Sequence, residues 1–199
     1  MLKAGEKPSG EASLGTCPAC RLGEVKITYT EEDVPGFGKM LLLTYKCPSC
    51  GYKVTDLIAL EGREPSIYKA KIESPSDLQI KVVKSSSGFV EIPELGVEIR
   101  PGPASQGYIT NIEGLLVRVE EAASVLRGDE EAEGKLEVFL AKLKEASEGR
   151  LAFTVIVKDP SGNSALVAEK PGKVERRPLS PEEVEELRRQ LAGVAFEFR

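Results

Sequence analysis

The chain has 199 residues, 41% of them hydrophobic, with 13 prolines, 19 glycines, four cysteines and a net charge of -5. This is enough apolar material for a packed core and argues against wholesale disorder. The acidic balance argues against a general nucleic-acid or membrane-surface binder, because neutralising phosphates needs a basic surface. Histidine is absent, which removes Ser-His-Asp and Cys-His nucleophiles, histidine general bases and every metal centre that needs imidazole.

In chain order, residues 1–13 read as a flexible polar tail. The opening MLKAGEKPSGEASLG lacks the apolar core of a signal peptide, and no run approaches the ~18 apolar residues of a membrane span. A soluble, cytoplasmic protein without a membrane partner is expected. From about residue 14 to residue 68 the four cysteines frame short strands: VKITY (25–29), MLLLTY (40–45) and KVTDLIAL (53–60). In VKITY the alternation puts Val25, Ile27 and Tyr29 on one face. The turn region EEDVPGFGK (31–39) lies between the first two. Residues 1–70 hold nine basic and nine acidic side chains, so the whole negative excess falls on residues 71–199.

The cysteines are spaced Cys17-x2-Cys20, twenty-six residues, Cys47-x2-Cys50. In a reducing cytosol this points to metal ligation or redox chemistry rather than disulfides. Four thiolates supply a closed tetrahedral zinc shell, each C-x-x-C turn presenting two sulfurs to one ion. Gly51 follows the second pair where a positive φ is required, and Pro18 and Pro48 stiffen the two turns. A segment of about fifty residues buries too little apolar surface to hold itself reliably, so one structural zinc bound by Cys17, Cys20, Cys47 and Cys50 is expected to decide its folding. The redox alternative needs a C-x-x-C at a strand-to-helix junction, whereas both pairs here lie between strands. Four sulfurs also leave no open position for a catalytic water.

Beyond residue 69 the strand signals lengthen: LQIKVVK (78–84), FVEIPEL (89–95) and VEIRPGP (97–103). Two helices follow as a hairpin over about 110–149. The first is capped by Thr110 with Glu113 reaching back and carries Ile112, Leu115, Leu116, Val119, Ala123 and Leu126 on one face. The second, over about 130–148, presents Leu136, Phe139, Leu140 and Leu143. Strands resume at LAFTVIVKD (151–159) and SALVAEK (164–170), joined by PSGN. A last helix opens at SPEEVEEL with Ser180 as cap, Pro181 at the first helical position and Glu183 completing the box. AFEF (195–198) reads as a closing strand.

Several stretches together, CPAC…CPSCGYK, SSSGFVEIPELGVEIRPGPASQGYITNIEGLL (85–116) and DPSGNS (159–164), resemble the ZPR-type zinc-finger family over residues 14–168 and in the family's order. The match is to a single-module, archaeal-like member. A departure stands at Asn111, where the family often has a second threonine. The resemblance implies a mainly β protein with some α: a zinc ribbon followed by a double-stranded β-helix, or jelly-roll-like, domain over 69–199 with an inserted helical hairpin. Eukaryotic members carry two such modules and bind translation elongation factor one-alpha, assisting its folding.

Candidate recognition residues lie in the turns. Phe37, between two glycines at a hairpin tip, is a candidate for filling a partner's pocket or for packing on the ribbon. Asp159 and Asn163 of DPSGNS are turn formers that a partner surface can also use. The trio Glu31-Glu32-Asp33 reads as a solvated loop or an acidic contact, and GPASQG (102–107) as a loop lacking the lysine and helix of a phosphate-binding P-loop. Without histidine, the two-histidine metal site of double-stranded β-helix enzymes is excluded, and carboxylate pairs such as Glu91 and Glu94 are unremarkable among 32 acids. The expected function is non-catalytic zinc-dependent binding of an elongation GTPase as chaperone or adaptor. A nucleic-acid-binding ribbon in translation or transcription is the alternative.

Overall fold

A computed structural model describes residues 9–102, 105–125 and 133–192. Strands β1 (Ser9–Thr16), β2 (Glu24–Val34), β3 (Gly38–Lys46) and β4 (Lys53–Ala59) form one antiparallel sheet in chain order. Residues 9–13, expected to be tail, are therefore part of an edge strand paired with β2 from Ser9↔Thr30 to Ser13↔Lys26. Most of β1 is solvated on both faces, so it carries no alternating apolar signal. Backbone pairing, with a Lys26–Glu11 ion pair at 3.0 Å, stands in its place.

The other three strands alternate between two faces, in β2 with Val25, Ile27 and Tyr29 together as expected. Met40, Leu42, Leu57 and Ala59 face the main core. Direct cross-strand partners share a face, so the pairs Tyr29↔Leu43, Ile27↔Tyr45 and Leu41↔Ile58 lie together on the opposite side. Every one of these six remains partly or largely exposed.

The chain continues through β5 (Ser66–Ile72), β6 (Lys81–Lys84), β7 (Phe89–Ile92), β8 (Val97–Ile99), β9 (Tyr108–Asn111), α1 (Ile112–Ser124), α2 (Glu133–Ser147), β10 (Phe153–Asp159), β11 (Ala165–Val167), β12 (Val174–Pro178) and α3 (Pro181–Ala192). These strands make two antiparallel sheets, ordered β12-β5-β10-β7-β8 and β11-β6-β9. Both give apolar faces to one cluster, with Tyr68, Ala70, Ile72, Val155 and Val157 from the larger sheet and Val82, Ala165 and Leu166 from the smaller. The two-sheet architecture agrees with the jelly-roll expectation. A boundary after Tyr68 falls inside β5, which pairs along its length with β10 and β12.

Local differences have local causes. Residues 75–79 turn as a 3-10 segment, held by the Asp77 carboxylate accepting the N–H groups of Glu73 and Ser74 at 3.1 Å, so the strand expected from residue 78 begins at Lys81. FVEIPEL divides at Pro93, which offers no N–H to a ladder. The helical hairpin is present, but its cap is Asn111, whose Oδ1 accepts the Gly114 N–H at 2.8 Å. Thr110 stays in β9 opposite Val82, and asparagine is the better cap of the two. Ile112, Leu115, Leu116 and Val119 of α1 and Leu143 and Ala146 of α2 are buried against the sheets. In α3 the Ser180–Glu183 box forms as expected, with reciprocal bonds of 2.8 and 3.2 Å. Leu126 and the AFEF strand lie outside the described residues. No described helix is long and apolar enough to cross a membrane.

Candidate functional site

The two C-x-x-C turns are built alike. In the first, the Cys17 N–H donates to Gly23 O at 2.7 Å and the Arg21 N–H returns to Cys17 O at 2.9 Å. In the second, the Cys47 N–H donates to Tyr52 O at 2.8 Å and the Gly51 N–H to Cys47 O at 3.0 Å. Each turn closes on a residue of positive φ, Gly51 at 77° and Arg21 at 58°. Arginine there accepts a strain that glycine at the equivalent place does not. Gly23 sets the approach of the two turns, since a Cβ on it would lie 2.8 Å from the Cys47 sulfur.

All four sulfurs lie within 4.8 Å of one another, with Cys17–Cys50 and Cys20–Cys47 both at 3.8 Å. Zinc–sulfur bonds of ~2.3 Å in a tetrahedron require sulfurs about 3.8 Å apart, so the geometry fits zinc. Cys17 and Cys47 are fully buried with Val25, and Tyr45 and Tyr52 pack on them. The electrostatics also call for a cation. The N–H groups of Leu22 and Gly23 draw the Cys20 thiol down to about 6. Cys50 also accepts a lowering bond from the Tyr52 N–H, yet desolvation and hydrogen bonding with the other three sulfurs push it up to about 12. Four adjacent thiolates repel one another unless a dication sits among them. Zinc would act here as a structural staple.

The three turn residues named as recognition candidates are all engaged within the fold. Phe37 is 3% exposed and belongs to the main core, with the Arg63 guanidinium 4.1 Å over its ring and bonded to its carbonyl oxygen. The hairpin tip folds back onto the jelly roll, where burying an aromatic ring outweighs exposing it. Asp159 is fully buried. Its Oδ2 accepts the hydroxyls of Ser85 at 2.7 Å and Ser164 at 2.5 Å. Its Oδ1 accepts the Ser87 hydroxyl at 2.9 Å and the Ser161 hydroxyl and N–H at 2.6 and 2.7 Å. The signal for this was present in LAFTVIVKD: period-two alternation places Asp159 on the inward face with Phe153, Val155 and Val157. Asn163 is half-buried, and its Oδ1 accepts the Ala59 N–H of β4 at 2.9 Å.

These residues form a seam between ribbon and jelly roll along β4. Asp56 accepts the Ser86 N–H and hydroxyl at 2.7 and 2.6 Å, and Thr55 O accepts the Gly107 N–H at 2.7 Å. Ser86, Gly107 and Asn163 thus converge on one edge strand and cover backbone groups that would otherwise be free to pair with another chain. Glu91 is tied to Lys158 at 2.5 Å and Glu94 accepts the Thr154 N–H and hydroxyl at 2.9 and 2.8 Å. Both carboxylates are therefore engaged in the fold.

Lys84, which sequence reading passes over, is 2% exposed at this seam. Burial pulls its ammonium down to about 8, with Asp159 and Asp56 offsetting part of the effect. An unfolded lysine holds its proton to its ordinary value of 10.5, so between pH ~8 and ~10 the unfolded chain binds more protons and stability rises with pH. Tyr108 acts oppositely: burial pushes its phenol to about 12 from 10.0, so stability falls above pH ~10. Urea midpoints measured from pH 7 to 11 are expected to climb and then turn over. Lys84→Met should lack the climb.

The model of the ZPR1 jelly-roll domain matches residues 76–189. A ZPR1-like protein of Pyrococcus horikoshii is 41% identical over 184 residues, covering 89% of this chain and 81% of the relative. One from Methanocaldococcus jannaschii is 43% identical over 176 residues, covering 86% and 87%. The zinc finger chaperone zpr1 of Schizosaccharomyces pombe is 32% identical over 165 residues, 79% of this chain but 35% of the yeast protein.

Proposed function

This chain belongs to the ZPR1 family, and on that premise we propose that it is a non-catalytic, zinc-stapled cytoplasmic protein that binds a translation elongation GTPase, elongation factor one-alpha, as a folding chaperone or adaptor. Cys17, Cys20, Cys47 and Cys50 hold the zinc in this reading. Support comes from the relative named a chaperone and from the family resemblance, which supplies the partner. The chain spans about a third of the eukaryotic relatives, so the transfer of their function is part of the proposal.

The observation that carries the reading is the open ribbon face. With Phe37, Asp159 and Asn163 turned to internal work, the exposed large apolar side chains of the ribbon are Leu14, Leu22, Tyr29, Ile58 and Leu60, spread from the first cysteine turn, where Leu22 is 92% exposed, to the opposite end of β4. An apolar patch on a sheet held rigid by zinc suits recognition of an incompletely folded or mobile protein surface.

The test is capture from the native host's extract by zinc-loaded protein. The elongation factor is expected among the captured proteins, with little dependence on salt. Ile58→Asp and Tyr29→Asp, both at exposed positions, should cut capture by roughly tenfold or more without lowering the melting temperature. Recovery of ribosomal or RNA species instead, weakening steeply with salt, would overturn the reading.

A further inference from the structure

A cavity of about 590 Å³ lies where the ribbon meets the jelly roll, walled by Leu42 and Thr55 on one side and by Lys84, Arg100, Tyr108 and Arg118 on the other. Its volume is within the ~300–1,000 Å³ usual for small-molecule sites. Among the described residues, three lining side chains are cationic and none is acidic, in a chain of net charge -5.

Lys84 is the least expected of them. An ammonium carries three donors. Two go to Ser85 O at 3.1 Å and Ser105 Oγ at 3.3 Å, and among the described residues no carboxylate reaches ion-pair distance. Asp56 and Asp159 attract it only at longer range, their oxygens occupied by serine hydroxyls and backbone N–H groups. Burying a charge without a contacting counter-charge is costly. Tyr108 holds a second cation over the same space: its ring lies 4.4 Å from the Arg118 guanidinium and 5.6 Å from Lys84 Nζ. Arg118 has no acidic partner among the described residues, whereas Arg100 is neutralised by Glu98 at 2.8 Å.

We propose that this cavity binds the phosphate group of a phosphorylated small molecule. Two cations without contacting counter-ions among the described residues face one space, which matches the double charge of a phosphate monoester better than the single charge of a carboxylate. The guanidinium of Arg118 supplies a fork suited to phosphate oxygens, and Lys84 supplies a point charge with a free N–H. Leu42 and Ile99 give an apolar wall for the rest of the ligand. The site is independent of the elongation-factor reading and stands or falls without it.

The test is calorimetric titration of the zinc-loaded full chain with inorganic phosphate, with ATP and with acetate. One saturable site is expected for phosphate or ATP and none for acetate. Saturation by inorganic phosphate identifies a site for the anion itself, and saturation by ATP alone shows that the ligand's body contributes. Arg118→Gln, on the exposed side of α1, should weaken binding roughly tenfold, the effect of one charge-assisted hydrogen bond. Lys84→Met should abolish it, while Arg177→Gln, paired with Glu183 on the α3 side, should bind as the parent does. Absence of saturable binding by phosphate and ATP, equal binding of acetate, or equal loss in the Arg177 variant would each overturn the proposal.

Discussion

Removing zinc with a chelator, or replacing Cys47 by serine, is expected to unfold the ribbon and to lower the stability of the rest of the chain. The local part follows from size. The ribbon's own cluster holds only Cys17, Val25 and Cys47 as buried residues, and structural zinc supplies ~10–16 kcal/mol in comparable small sites. The wider effect follows from where the other face of the sheet goes. Phe37, Met40 and Leu57 are buried in the same cluster as the jelly-roll strands, so a collapsed ribbon returns three large apolar side chains to water. At ~1.5–3 kcal/mol each, the loss is about 5 kcal/mol or more, or roughly 10–20 °C for a chain of this length. Thermal melts followed by circular dichroism, with metal content and free thiols counted on the same samples, check this. Metal-free protein with four titratable thiols and an unchanged melt would sink the zinc staple.

The division between what was legible in the sequence and what was not follows the range of the forces involved. Cysteine spacing and Gly51 are local signals, and the metal centre was readable from them. The α3 cap was readable for the same reason, because Ser180, Pro181 and Glu183 act within one turn. The strand β1 was not, since a solvated edge strand is held by its neighbour and leaves no pattern of its own. Phe37 and Asp159 are left open by their turn composition, which allows either a packed or a partner-facing role. Phe37 is buried by contacts with Arg63 and the jelly-roll core, distant in sequence. Asp159 is buried because Ser85 and Ser87, 74 and 72 residues upstream, solvate it in place of water. The alternation in LAFTVIVKD places Asp159 inward, while its position at the strand's end gives it the composition of a turn.

Asp159→Ala is expected to be the most damaging single substitution outside the cysteines, at about 3–5 kcal/mol, the range for breaking a buried charged network by removing one partner. The cost is unevenly shared among the serines. Ser161 is exposed and Ser87 partly so, and both can turn to water. Ser85 and Ser164 are 1% exposed; they would keep the Ser85 N–H to Ser164 Oγ bond at 2.9 Å, the Ser85–Ser87 hydroxyl contact at 3.0 Å and a weak bond to each other at 3.2 Å, but each loses its short bond to the carboxylate, at about 1.5–3 kcal/mol for a hydrogen bond to a charged group. Lys84 would also lose one of the two carboxylates that support its charge. Asp159→Asn keeps the volume but turns two N–H donors toward hydroxyls that now donate, so it should fall between parent and alanine. Adding Ser164→Ala to Asp159→Ala should cost less than the sum of the two singles, because each single already breaks the Ser164–Asp159 bond that the double counts once. Urea denaturation of the parent and the four variants at pH 7 measures all of this. The metal count should stay at one zinc throughout, since Asp159 touches neither cysteine turn. A loss below about 1 kcal/mol for the alanine variant, the scale of an ordinary surface change, would mean that water enters the seam and solvates the serines, and that the β4 latch is looser than its hydrogen bonds suggest.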